Sequence, residues 1–145
     1  MSWKKEIKEI SLRKKLALGQ GGKEAIDIQH AKGRLTLRER IDLILDKNSF
    51  EEVGKISGGM EQKEDGSIDS FTPANFILGF GEINKRKIVI GGEDFTVKGG
   101  SPNAAGNRKS VYTEELAVQY KFPLIRLHEG GGGSVAGPSK EKKGY

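Results

Sequence analysis

The fold is decided by one continuous stretch, FILGFGEINKRKIVIGGEDFTVKGGS, which runs from Phe76 to Ser101. Its apolar segments predict two β-strands, Phe76–Ile83 and Lys87–Phe95, because such runs bounded by turn residues are typical of strands. The residues 84–86 between them, Asn-Lys-Arg, predict a tight hairpin turn. A glycine turn over Thr96–Ser101 then ends the second strand. The stretch therefore predicts a strand pair that opens into a glycine turn.

The residues after this stretch continue the pattern. Asn103–Tyr120 is predicted to be a helix, with an apolar and aromatic stripe at helical spacing. Pro123–His128 predicts a third strand, which runs into the glycine run Gly130–Gly133. The order of strand, strand, turn, helix, strand and glycine turn predicts an α/β fold.

The residues before the stretch are predicted to be mainly helical. Ser2–Leu18 shows helical periodicity with Ser2 as its N-cap, and Lys23–Ala31 predicts a second short helix. Thr36 followed by Glu39 forms a capping box, because each side chain can satisfy a backbone donor at the start of a helix. The helix that follows has one apolar stripe, composed of Leu37, Ile41, Ile44 and Leu45.

Two shorter segments separate these helices from the central stretch. Ser49–Val53 predicts a short strand. The segment 58–72 is polar and acidic, which favours an exposed loop. No linker and no internal repeat is evident between the segments.

Composition excludes several classes of protein. The 145 residues suffice for one domain, and no run approaches the roughly 18 apolar residues of a membrane helix. Cysteine is absent and only His30 and His128 carry imidazoles, so we expect no metal site, disulfide or thiol nucleophile. The N-terminus lacks the apolar core of a secretory signal.

The positive charge is concentrated at the front of the chain. The net charge of the whole chain is +5. Residues 1–40 have 11 basic and 5 acidic residues and a net charge of +6, whereas residues 41–145 have a net charge of −1. A basic segment suits an anionic partner, but a solvated helix face is the other interpretation. Nucleic-acid binding is weakly supported, because no recognised motif is present and aromatic residues do not alternate with the basic ones.

Two of the predicted strands are each followed by consecutive glycines, at Gly99–Gly100 and at Gly130–Gly133, and each glycine run leads towards a predicted helix. Glycine lets the backbone approach a ligand, and unpaired N–H groups at a helix start stabilise an anion. That anion is either a phosphate or an oxyanion developing on a carbonyl. The second run lacks the Gly-Lys-Ser/Thr ending of a P-loop, and a flexible polyglycine loop is the alternative.

The motifs together resemble a known family. Lys32–Asp42 with Ser49–Glu52, then Glu93–Ser101 and Pro123–Gly133, look like successive signatures of the carboxyltransferase subunit of biotin-dependent acyl-CoA carboxylases, as in the propionyl-CoA and methylcrotonyl-CoA enzymes. The resemblance covers residues 31–137, in order and at the expected separations. It departs from the family where many members read Ser-Gly-Gly-Ala-Arg and this chain has Gly130–Ser134.

The resemblance implies a fold and a site. The fold would be a crotonase-like ββα spiral, incomplete here, with a helical segment over residues 1–48 and the first part of the acyl-CoA domain over residues 49–145. The backbone amides of Gly131, Gly132 and Gly133 would form the oxyanion hole that stabilises a thioester enolate. The acyl-CoA would be bound by Gly99, Gly100 and Ser101. Apart from the resemblance, Arg34, Arg38 and Arg40 are candidates for contacts with CoA phosphates. Packing and ion pairs among the N-terminal helices are the alternative role for these arginines.

The resemblance also implies partners. Carboxybiotin would come from a biotin carboxyl carrier that acts with a biotin carboxylase, in a homo-oligomer or with the remaining carboxyltransferase chain. The setting would be the cytoplasm, or the mitochondrial matrix in a eukaryote, and the chain would be a fragment of a longer polypeptide. His128 and Glu129 are either a strand-end pair that shapes the glycine turn or an acid–base pair. A non-catalytic CoA-binding or assembly module of a carboxylase or decarboxylase complex is the alternative function.

Overall fold

The computed structural model describes residues 2–129 of the chain. Four α-helices, six β-strands and one short 3₁₀ turn follow one another along these residues. In chain order they are α1 (Lys4–Leu18), α2 (Lys23–Ala31), α3 (Leu37–Ile44), β1 (Glu51–Val53), β2 (Gly58–Gln62), β3 (Ile68–Pro73), β4 (Phe76–Ile83), β5 (Arg86–Glu93), the 3₁₀ turn (Lys98–Gly100), α4 (Ala104–Tyr120) and β6 (Leu124–Leu127).

A four-stranded sheet in the order β1-β4-β5-β6 forms the centre of the molecule. β4 pairs antiparallel with both β1 and β5. β6 pairs parallel with β5, with Gly92 opposite Leu127, and α4 makes the crossover between them. β4, β5 and α4 form a ββα unit, and β6 is the strand that follows it, in the order that the sequence predicts.

The hairpin between β4 and β5 confirms the predicted tight turn. Asn84 and Lys85 have φ values of 50° and 64°, the left-handed conformation that two-residue hairpin turns require. The Asp46 carboxylate accepts hydrogen bonds from both backbone N–H groups, at 3.0 and 2.8 Å. These bonds stabilise a conformation that a lysine rarely adopts, and β5 begins at Arg86, one residue earlier than predicted.

The sheet is covered on both faces. On one face α3 packs through Leu37 and Ile41 against strand residues that include Ile77 and Ile90. On the other face α4 packs on the sheet through a cluster composed of Phe76, Leu78, Val89, Leu116 and Ala117. Alternate strand residues point to opposite faces, so both faces are apolar. α3 thus shares a core with the sheet. The division into a helical segment over residues 1–48 and an acyl-CoA domain from residue 49 stays a prediction.

The predicted helix signals are partly confirmed. The Thr36 hydroxyl accepts from the Glu39 N–H, and the Glu39 carboxylate accepts from the Thr36 N–H at 2.7 Å, so the capping box is present. The stripe is only partly buried, because Ile44 is 37% exposed. The N-cap of α1 is Trp3, without a side-chain hydrogen bond, so the prediction of Ser2 as N-cap is wrong.

The prediction of an exposed loop over residues 58–72 is also wrong. β2 and β3 pair antiparallel there, with Gly58 opposite Pro73 and Met60 opposite Phe71. Most of their side chains are exposed, so the strands lack the apolar alternation that signals a half-buried sheet. Backbone hydrogen bonds and the packing of α1 on β3 support this hairpin.

Candidate functional site

The carboxyl ends of β5 and β6 lie side by side. These strands are parallel neighbours, and the last pairing in their register joins Gly92 to Leu127. A Cβ on Gly92 would come 2.4 Å from the Leu127 carbonyl oxygen, so this close approach needs glycine. Adjacent strands are about 4.8 Å apart, so the chain segments that leave them begin next to each other. We call this edge the carboxyl edge.

The first glycine turn starts at the carboxyl edge. Gly99 and Gly100 have φ values of +61° and +72°. Two of the turn's amides are used internally, because Gly100 N–H donates to the Val97 carbonyl at 3.0 Å and Ser101 N–H to the Lys98 carbonyl at 3.2 Å. A Cβ on Gly99 would meet no atom within 4 Å, so a ligand can approach the turn at this residue.

Asp94 holds the start of this turn. Its buried carboxylate accepts from the Thr96 N–H at 3.0 Å and from the Thr96 hydroxyl at 2.6 Å. Burial raises the pKa of Asp94, and the bonds from Thr96 oppose that rise. The Thr96 hydroxyl oxygen in turn accepts from the Gly21 N–H at 2.9 Å, which attaches the α1–α2 connection to the turn.

Asn75 holds the end of the turn, and sequence reasoning missed it. This buried side chain donates through Nδ2 to the Ser101 carbonyl, and its backbone carbonyl accepts from Asp94 N–H at 2.9 Å. A Cβ on Gly106 would lie 2.1 Å from Asn75 Oδ1, so the first turn of α4 packs directly against it. A buried amide beside an apolar strand needs partners, and that was the available signal.

The three candidate arginines lie in two different environments. Arg34 and Arg40 approach Glu129 at 4.0 and 3.7 Å, at the carboxyl edge. Arg38 instead makes two hydrogen bonds to Glu52, at 2.8 and 3.0 Å, where its side chain is 16% exposed and that of Glu52 is 3% exposed. Contact of Arg34 or Arg38 with a substrate stays a prediction.

His128 is paired at the same edge. Its Nδ1 lies 3.2 Å from Glu93 Oε1, so its partner is the last residue of the adjacent strand β5 and not Glu129, the next residue in the sequence. The ring is 65% exposed on the solvent side of this pair. The second glycine run, with Gly131, Gly132 and Gly133, lies outside the described residues, and its oxyanion hole stays a prediction.

Other site types find no support in the part of the chain that the structure describes. Between residues 2 and 129, no group of three or more acidic or histidine side chains is arranged to hold a metal ion. Within that same range, no helix combines the length and apolar character needed to cross a membrane.

Comparison with known proteins identifies the family. The model of the carboxyl transferase domain matches residues 28–144. The chain is 33% identical over 141 residues to the propionyl-CoA carboxylase beta chain of Roseobacter denitrificans, covering 96% of this chain and 27% of that protein. It is also 33% identical over 142 residues to the human mitochondrial propionyl-CoA carboxylase beta chain, covering 94% and 26%. The chain thus spans about a quarter of the length of these curated relatives.

Solved structures agree with the sequence matches. The crystal structure of transcarboxylase 12S, a hexamer described with methylmalonyl-coenzyme A and methylmalonic acid bound, superposes with a TM-score of 0.77 at 27% identity, covering 93% of this chain and 26% of that one. This likeness confirms the predicted α/β, crotonase-like architecture. Because a family model matches most of its length, the chain belongs to the carboxyl transferase domain family.

Proposed function

We propose that this chain is the acyl-CoA-binding portion of a biotin-dependent carboxyltransferase, which moves a carboxyl group between carboxybiotin and a short-chain acyl-CoA. The observation that carries the proposal is the parallel pairing of β5 and β6, which ends with Gly92 opposite Leu127. Both strands end at the carboxyl edge, so the segments that lead towards Gly99 and towards the second glycine run leave the sheet side by side. Relatives named propionyl-CoA carboxylase beta chain support a short acyl chain as substrate.

The chain's part in the reaction is to hold and polarise the thioester. In this proposal the amides of Gly131, Gly132 and Gly133 donate to the thioester oxygen as negative charge develops on it. One well-placed donor of this kind is worth about 2.7–4 kcal/mol. Gly99 would form the opposite wall, since no atom outside Gly99 and its two chain neighbours lies within 4 Å of the point where its Cβ would be.

Carboxybiotin would supply the carboxyl group, brought by a biotin carboxyl carrier that is loaded by a biotin carboxylase. We assign no described side chain to biotin, because those at the carboxyl edge already bind one another: Glu93 with His128, and Glu129 with Arg34 and Arg40. The proposed assembly is a homo-oligomer or a complex with a further carboxyltransferase chain. Its proposed setting is the cytoplasm, or the mitochondrial matrix in a eukaryote.

Two assays test the proposal. The first measures binding of propionyl-CoA and methylmalonyl-CoA to the chain by calorimetry, and the second measures carboxyl transfer from methylmalonyl-CoA to free biotin by the complete polypeptide. We expect binding in the first and transfer in the second. Gly132→Pro, which removes an amide hydrogen, should abolish transfer, while the matched Gly132→Ala, which keeps it, should retain more activity.

The outcomes separate the candidate functions. Binding without transfer in the complete polypeptide would favour the alternative, a non-catalytic CoA-binding or assembly module. Absence of both binding and transfer would refute the proposal. Equal activity of Gly132→Pro and Gly132→Ala would remove the oxyanion hole from it.

A further inference from the structure

A cavity of about 420 Å³ lies between the β1–β2 connection and α4. Its volume falls within the range of about 300–1,000 Å³ that is usual for ligand pockets. Four residues contribute apolar walls, namely Val53, Ile56, Leu78 and Ala105. The other walls carry two glycines and several hydrogen-bonding or cationic side chains, namely Gly54, Ser57, Gly58, Arg108, Lys109 and Tyr112.

Lys109 is the buried cation of this cavity. It is 7% exposed, and its Cε lies 3.6 Å from the point that a Cβ on Gly54 would occupy, in the cavity wall. Among residues 2–129 its ammonium group makes no ion pair within 4 Å and donates no hydrogen bond. Burial lowers the pKa of Lys109 to about 8. A buried ammonium group is costly unless an anion lies close to it, so Lys109 favours a negatively charged ligand in this cavity.

The nearest carboxylates are already engaged. Glu52 attracts the Lys109 charge, but it makes two hydrogen bonds to Arg38 and lies 3.6 Å from Lys55. Asp94 is bonded by Thr96. Arg38 also repels Lys109. The cluster behind the cavity therefore holds more positive than negative charge.

The cavity continues towards the first glycine turn. A second hollow of about 500 Å³ shares Gly58, Ala105 and Arg108 with it and reaches Lys98, which adjoins Gly99. The second hollow also contains Glu61, whose carboxylate accepts from the Ser70 hydroxyl at 3.1 Å. Arg108 and Lys98 are exposed and make no ion pair within the described part of the chain. Three cations thus follow one groove that ends beside the turn.

We infer that Lys109 and Arg108 form a phosphate-binding site in this groove. A phosphate carries up to two negative charges, which matches two cations, and the Ser57 and Tyr112 hydroxyls offer further donors. The phosphate belongs either to free inorganic phosphate or to the nucleotide part of CoA. The second source rests on the proposed function, because the groove leads to the turn that would line the acyl-CoA.

The test uses the full chain with three probes: inorganic phosphate, CoA and pantetheine, which lacks the nucleotide phosphates. We expect phosphate to raise Tm and CoA to bind at least tenfold more tightly than pantetheine. Lys109→Met should remove the phosphate-dependent rise and weaken CoA binding at least tenfold, without affecting pantetheine. Lys87→Met, a substitution of an exposed lysine on β5, is the matched control and should change neither.

Further readouts keep the inference falsifiable. Because Lys109→Met removes a buried unpaired charge, the ligand-free variant should have a Tm no lower than wild type. Arg108→Met, at an exposed position, should weaken CoA binding about three- to tenfold whatever happens to Lys109→Met. Unchanged phosphate and CoA binding in both variants overturns the inference.

The two proposals fail separately. If pantetheine binds as tightly as CoA, the groove does not bind the phosphates of CoA. This inference then fails while the proposed function stands. If phosphate binds through Lys109 but no CoA thioester binds, the phosphate site stands and the proposed function fails.

Discussion

Substitution of Arg38 by methionine distinguishes the two roles that this arginine has been given. From the sequence it is a candidate ligand of CoA phosphates, whereas in the structure both of its terminal nitrogens bond to Glu52, at 2.8 and 3.0 Å. Methionine keeps much of the apolar volume and removes the charge. If the arginine is structural, the main effect of Arg38→Met is on stability rather than on binding.

The size of this effect follows from burial. Removing one partner of a buried ion pair costs about 3–5 kcal/mol, because the other charge is left uncompensated. The lower end applies here, since Arg38 is 16% exposed and Lys55 remains 3.6 Å from Glu52. We therefore expect a loss of about 3 kcal/mol in the free energy of unfolding. For a domain of this size that corresponds to a fall in Tm of about 10 °C.

The assay is a double-mutant cycle of Arg38→Met and Glu52→Gln, followed by chemical denaturation. Each single variant should be destabilised, and the double variant should lose clearly less than the sum, with a coupling of about 2 kcal/mol. Lys63→Met provides a control, because its pair with Asp69 is exposed and should be worth less than about 1 kcal/mol. An Arg38→Met variant of wild-type stability that binds CoA more weakly would refute the structural role and restore the ligand role.

Three further predictions follow from local geometry. Thr36→Ala removes half of the capping box and should cost about 1 kcal/mol of unfolding free energy in chemical denaturation, whereas no loss would mean that the box adds nothing. Gly100→Ala should lower Tm more than Gly99→Ala, because both have positive φ but only Gly100 has the Phe95 ring 2.5 Å from the new Cβ; equal shifts would contradict the packing. Burial lowers the pKa of Lys109 from 10.5 to about 8, so between these pH values the folded chain binds fewer protons than the unfolded chain. The contribution of Lys109 to the free energy of unfolding should therefore rise with pH across that window, by about 3 kcal/mol in total. Denaturation of wild type and Lys109→Met from pH 7 to 10 measures this rise, and identical pH slopes would contradict it.

The central unit could be predicted because its signals are local. Apolar runs interrupted by Asn84 and Lys85 indicate a hairpin, and Thr36 with Glu39 indicates a helix start, since each involves residues within a few positions of one another. Sequence patterns therefore sufficed to predict the glycine turn that follows the second strand. The parallel pairing of β5 with β6 was not predicted, although strand–helix–strand crossovers favour parallel neighbours.

What could not be predicted depends on contacts between distant residues. The hairpin of β2 and β3 has two exposed faces, so no apolar alternation reveals it. Asn75 bonds to Ser101, 26 positions away, and the pairing of Arg38 with Glu52 spans 14 positions. Burial of Lys109 is hidden for the same reason, since its helix alone does not show which residues cover it.

The basic front segment has a physical explanation in the fold. Part of its positive charge is paired within the chain, because three of its arginines reach carboxylates of residues that follow the segment. Arg38 pairs with Glu52 of the edge strand β1, and Arg34 and Arg40 approach Glu129, which immediately precedes the second glycine run in the sequence. Through a separate contact, the N–H of Gly21 donates to Thr96 in the first turn.

The N-terminal helices therefore support both strand exits at once. The Thr96 hydroxyl joins the Gly21 amide to the Asp94 carboxylate at the first turn, and Glu129 joins two arginines to the end of β6. Glycines have no side chains that fix the conformation of a turn, so part of the order of a glycine turn must come from neighbouring residues and elements. A site built from backbone amides needs such support more than one built from side chains, because it works only when the donors are already in place. A helical segment that supports both strand exits suits the amide-based chemistry proposed for this chain.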